Sequence, residues 1–128
     1  DALNRSESLT EKVMNFYYNE FWKPLRLNKI DYDWVAIEVF DTAVNCGHKN
    51  AVKMLQRALN VLNRNQSTKF YNDLEVDGLI GKKTLAAVSI LNENGDSSTL
   101  LKALKYHFAK TILLAGTPPT VFQLFRSV

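Results

Sequence analysis

At 128 residues the chain is long enough for one domain with a real hydrophobic core and too short for several. Sixteen Lys and Arg against thirteen Asp and Glu leave a net charge of +3 and a pI near 9.0, a mild basic bias that suits an anionic partner without demanding one. The one cysteine, Cys46, excludes an intrachain disulfide, no apolar run approaches the ~18 residues of a membrane span, and no signal-peptide pattern is seen.

In chain order, residues 1–7 are polar and expected to fray. Ser8-Leu9-Thr10-Glu11 has the form of a capping box, so a helix is expected from about Leu9 to Trp22. Its stripe, Val13, Phe16, Tyr17 and Phe21, is mostly aromatic, and Pro24 stops it for want of an N–H. After a connection over 25–32, Asp33 is placed to cap a second helix from about Trp34 to Cys46. That helix is apolar over most of its circumference and therefore expected at the centre, with Glu38 on a solvated side. Gly47 follows as the residue beyond the C-cap, where positive φ is expected.

A third helix over about 50–63 carries the clearest stripe, Ala51, Met54, Leu55, Ala58, Leu59 and Leu62. Asn60 and Asn63 to Asn65 signal fraying into a polar loop over 64–76, in which Phe70-Tyr71 is either exposed or folded back. Asp77-Gly78 is a turn dipeptide, and Gly81 offers a second permissive position before a fourth helix over about 82–92. Ser97 or Ser98 caps a fifth, about 99–115, with Leu101, Leu104, Phe108 and Ile112 on its stripe. Beyond Gly116 and Pro118-Pro119, Val121, Phe122, Leu124 and Phe125 suggest a last short helix. The expectation is an all-α protein of five or six helices, with no internal repeat.

Three motifs follow one another: Asp41-Thr42-Ala43-Val44-Asn45-Cys46-Gly47, then Ala51 through Leu55-Gln56-Arg57-Ala58-Leu59-Asn60, then Val76-Asp77-Gly78-Leu79-Ile80-Gly81-Lys82-Lys83-Thr84-Leu85-Ala86-Ala87. In this order they resemble the C-terminal part of lysozyme-like glycoside hydrolase family 108 proteins, a part also described as a predicted peptidoglycan-binding domain. The second and third also resemble the broader peptidoglycan-binding repeat of cell-wall hydrolases. Tyr17-Tyr18, Phe21-Trp22 and Pro24 are similar to the tyrosine–tryptophan helix that precedes these motifs in the family, so the resemblance covers about residues 8–90.

The resemblance implies a lysozyme-like helical domain over 1–128, with a peptidoglycan-binding core at about 40–92 and a helical extension at 97–128. It implies peptidoglycan glycan as the partner, no cofactor, and a cell-wall, periplasm-facing or phage-lysis setting. In the family the glycosidic acid is a Glu in an E-G-G-Y-type motif. None of Glu7, Glu11, Glu20, Glu38, Glu75 or Glu93 is followed by Gly-Gly-Tyr, so that position is expected upstream of Asp1 and no catalytic residue is assigned within the chain.

The substrate-binding candidates are Asp41, Asn45, Tyr18, Trp22, Gln56, Asp77 and Thr84. Asp41 and Asn45, four apart, share a helical face and suit sugar hydroxyls and N-acetyl groups, or equally the backbone of the loop after Gly47. Gln56, Asp77 and Thr84 suit either ligand contact or a scaffold in which Asp77 and Thr84 hold N–H groups at a helix start. Tyr18 and Trp22 can stack on pyranose rings or belong to the core. His48 and His107 have no metal-ligand spacing, and the Lys and Arg residues are scattered rather than gathered on one helix, which argues against a metal site and against nucleic acid. The alternative to a wall-binding domain is an interaction domain that docks a partner through the apolar segments Ile112 to Leu114 and Val121 to Phe125.

Overall fold

The computed structural model describes residues 2–64 and 69–115, with side chains over 8–64 and 69–111. Within them the chain is all-α. The helices are α1 (Ala2–Tyr17), α2 (Asp33–Cys46), α3 (His48–Arg64), α4 (Lys82–Glu93) and α5 (Ser97–Ala115), with a π-helical turn at Tyr18–Trp22 and a 3-10 turn at Leu27–Lys29. None of the helices described is long and apolar enough to cross a membrane. The expected helix at Val121 to Phe125 and the side chains of Ile112 to Leu114 lie outside the described residues.

The core forms where α2, α3 and α5 pack on one another, around Val35, Val39, Ala43, Leu55, Leu59, Leu100 and Leu104. Alanines at 36, 43, 51 and 58 keep the helices close, and α4 adds Ala87, Val88 and Leu91. The connection after Pro24 is more than a linker, because it drives Leu25, Leu27 and Ile30 into the same core.

Several expectations change. Helix α1 already winds at Ala2, so Ser8 to Glu11 lies inside a helix and is not its capping box; Ala2, Leu3, Arg5 and Glu7 are all good helix formers. The aromatic stripe of α1 is not core: Val13, Phe16 and Tyr17 are exposed, and the helix stands at the edge of the bundle. Asp33 is the first residue of α2 rather than its cap, which is Tyr32 with no side-chain cap bond. Glu38 is buried, not solvated, because α2 is packed on more than one side.

The end of the first helical stretch has a local cause. A continuing helix would bond the Glu20 carbonyl to the N–H of residue 24, but Pro24 has none. Lys23 N–H reaches back five residues to Tyr18 O at 2.8 Å, widening the turn. The Glu20 carbonyl accepts from His48 Nε2 instead. The His48 ring also stacks on Phe21 at 4.8 Å and 8° between planes, which ties the π-helical turn to the start of α3.

Candidate functional site

The site is built on α3, which buries two faces of different chemistry. One face is the apolar stripe in the core. The other carries three amides, Gln56, Asn60 and Asn63, spaced four and three apart so that they stand in a row along the helix.

Gln56, at 1 % exposure, is the hub. Its Nε2 donates to Asp77 Oδ1 at 2.9 Å, Leu79 O at 3.1 Å and Thr84 Oγ1 at 3.2 Å, and its Oε1 accepts from Gly78 N–H at 3.0 Å. One side chain therefore fastens the turn and the first part of α4 to α3. Asp77 turns back on its own loop, accepting from Leu79 N–H at 2.9 Å. The bond from Gln56, then that from Leu79, holds its carboxyl below the usual carboxylate range.

Asn60 exchanges two bonds with Leu74, from Nδ2 to O at 2.9 Å and from N–H to Oδ1 at 2.7 Å. Asn63 Oδ1 accepts from Phe70 N–H at 2.9 Å, and its Nδ2 donates to Tyr71 O. Tyr71 folds back to donate its hydroxyl to Leu59 O at 2.7 Å, while Phe70 stays exposed. Arg64 closes the row on Asp73 at 3.0 Å, a bond that leads in holding Asp73 below its ordinary pKa. Residues 70–81 thus form no strand and yet are fully positioned. Asn60 and Asn63, which by propensity alone mark a fraying helix end, are what fixes the loop, and α3 continues to Arg64.

Gly78 is required by its surroundings. It has φ +78°, and a Cβ there would lie 2.5 Å from Lys49 Cγ and 3.1 Å from Lys49 O. Gly81 differs from expectation, with φ −103°, a conformation open to any residue. The roles assigned to Asp77 and Thr84 at a helix start also shift. Asp77 serves Leu79, Thr84 accepts from Gln56, and the first turn of α4 has no side-chain cap.

Between this loop and α4 runs an open groove of about 800 Å³. Gln56, Asp77 and Thr84 line its floor, with Leu74, Leu79, Ala86 and Ile90 as apolar lining and Glu75, Lys82 and Lys83 as charged lining. The other candidates lie elsewhere. Tyr18, half exposed, and Trp22, packed 5.7 Å from Phe40, sit on the π-helical turn. Asp41 and Asn45 sit on α2, where Asn45 Nδ2 bonds the Asp41 backbone carbonyl at 2.8 Å. Asp41 is 5 % exposed, and burial pushes its carboxyl up to about 6. The groove lining at Glu75, Lys82 and Lys83 was not singled out by sequence reasoning. The row of amides was available as a signal, since its spacing lies within and just after the Leu55-Gln56-Arg57-Ala58-Leu59-Asn60 motif.

The structure is thus a small helical bundle with a motif-built groove on its flank. Comparison with known families makes this specific. Residues 3–47 match the family model described as Glycosyl hydrolase 108, and residues 50–111 match the one described as Predicted Peptidoglycan domain. The chain thus joins, in order, a stretch similar to the one family and a stretch similar to the other, the combination of a peptidoglycan-binding domain of a lysozyme-like cell-wall hydrolase; the similarity reaches to residue 111, well into α5. No curated protein matches the chain. The boundary between the two stretches falls at Gly47 and the start of α3, and the core runs across it, from Val39 and Ala43 to Ala51 and Leu55.

Proposed function

We propose that this domain engages peptidoglycan in the groove between residues 70–81 and α4. The observation that carries the reading is the coincidence of the groove with the Asp77-Gly78 to Thr84 motif. Gln56, Asp77 and Thr84 act there mainly as the rigid floor, since their polar atoms are already engaged with one another and with the loop backbone. Tyr18 and Trp22 on the π-helical turn, and Asp41 and Asn45 on α2, are further candidates for sugar contact, supported at Tyr18 by its exposed ring. No Glu of this chain is followed by Gly-Gly-Tyr, and the role proposed for the domain is binding.

Co-sedimentation with purified peptidoglycan tests the reading. The chain should pellet with the wall at low and moderate salt. Ala86→Trp, which places a large ring in the groove from an exposed position, should leave the chain in the supernatant while its melting temperature holds. A wild-type chain that never pellets, or an Ala86→Trp variant that pellets equally well, would count against the groove.

A further inference from the structure

The charges lining the groove are not all committed. Asp73 is taken by Arg64 and Lys69, and Asp77 by Gln56 and Leu79 N–H. Lys82 and Lys83, on the first turn of α4, and Glu75, on the loop, are exposed and form no ion pair among the described residues. The groove therefore presents two cations on its helix wall and one free carboxylate on its loop wall, with Leu74, Leu79 and Ile90 among its apolar lining. Its volume of about 800 Å³ lies within the range of roughly 300–1,000 Å³ usual for ligand sites.

A glycan strand of hydroxyls and acetamido groups can hydrogen-bond such separated charges but offers no opposite charge to pair with them, so covering them with it compensates their desolvation only in part. The other half of peptidoglycan has the matching chemistry. Its stem peptide is short, ends in carboxylate, carries a side-chain amino group and bears small methyl side chains.

We propose that the groove takes the stem peptide of peptidoglycan, its carboxylate held by Lys82 and Lys83, its amino group by Glu75, and its methyl groups on the apolar lining. This rests on the wall-binding reading above and names which half of the polymer enters the groove. Recognition is then by charge-assisted bonds at both ends of a peptide, which fixes its direction in the groove.

The test uses the 128-residue chain, intact sacculi, free stem peptide released from them by an amidase, and the stem-free glycan that remains. Free stem peptide should displace the chain from sacculi, and stem-free glycan should not. Lys82→Glu/Lys83→Glu and Glu75→Lys should each weaken binding of the free peptide at least tenfold. The control Lys102→Glu/Lys105→Glu, the same charge change on exposed positions of α5, should bind as the wild type. If stem-free glycan displaces the chain and stem peptide does not, or if the α5 control loses as much as the groove variants, the peptide assignment is overturned and wall binding stands. If the wild-type chain does not bind sacculi at all, both fall.

Discussion

Asn60 and Leu74 exchange a pair of hydrogen bonds, 2.9 and 2.7 Å, in which a side-chain amide does for an irregular segment what a neighbouring strand does in a sheet. Asn60→Ala removes both partners at once and leaves the Leu74 N–H and C=O without their bonds. The expected loss of stability is about 1–3 kcal/mol. Chemical denaturation checks it, and Asn60→Asp, which sets a buried carboxylate oxygen against the Leu74 carbonyl oxygen, should lose at least as much at neutral pH.

The glycines should not respond alike. Gly47 has φ +89° and ψ 158°, positive as expected but outside the left-handed helical region, in a conformation essentially reserved for glycine. Gly47→Val is expected to cost about 1–3 kcal/mol from backbone strain alone, since a Cβ there meets nothing within 4 Å. Gly78→Ala combines a positive φ with the Lys49 clash and should lower the melting temperature further than Gly47→Ala. Gly81→Ala, with negative φ and open space, should leave it nearly unchanged. Thermal melts of the three alanine variants should reproduce that order.

Asp41 gives a pH signature of definite sign. Its carboxyl is raised from 3.8 to about 6 by burial, so the folded state binds its proton more tightly than the unfolded chain does. Stability is therefore insensitive to this group below about 3.8 and falls as pH rises from there through 6, by about 3 kcal/mol at most. Asp41→Asn should flatten that part of the stability–pH curve. Denaturation midpoints at several pH values between 3.5 and 7 (a range of roughly three units spanning the titration) provide the measurement, and an unchanged slope in the variant would refute the assignment.

The chain alone should leave a peptidoglycan suspension turbid. Sugar oxygens leave poorly without a positioned acid, and general acid catalysis contributes about 10²–10⁴-fold. Asp41 has a pKa suited to such a role but is buried in α2 and lines neither the groove nor its rim. An extended form carrying an E-G-G-Y-type Glu should clear the suspension. Clearing by the present chain, abolished by Asp41→Asn with the fold intact, would assign catalysis to these residues instead.

The helix order and the centrality of α2 could be read from apolar spacing, because packing of a periodic face dominates both. The Gly-punctuated turn could be read as well, since Asp77-Gly78 acts through local chemistry. Asn60 and Asn63 could not be judged by propensity, which counts their competition with the helix backbone but not the loop ten or so residues later that they bind. The exposure of α1 was hidden for the opposite reason: its aromatic stripe has the spacing of a core helix, and spacing does not say whether a partner lies opposite. Glu38 was misplaced by charge alone, which favours the surface until the helix carrying it is packed on several sides. The groove lining at Glu75, Lys82 and Lys83 needed the loop path, which the amide row fixes together with the Tyr71–Leu59 and Arg64–Asp73 bonds.

The row of amides also joins two motions that would otherwise be separate. Residues 70–81 have no ladder of their own to unzip, and the amide protons of Phe70, Leu74 and Gly78 are shielded by acceptors that belong to α3. Those protons are exposed when the segment lifts away from the α3 side chains that hold it or when α3 opens beneath it. Helix and loop then behave as one opening unit, and a segment that looks like surface coil should share the slow exchange of the helix to which it is fastened.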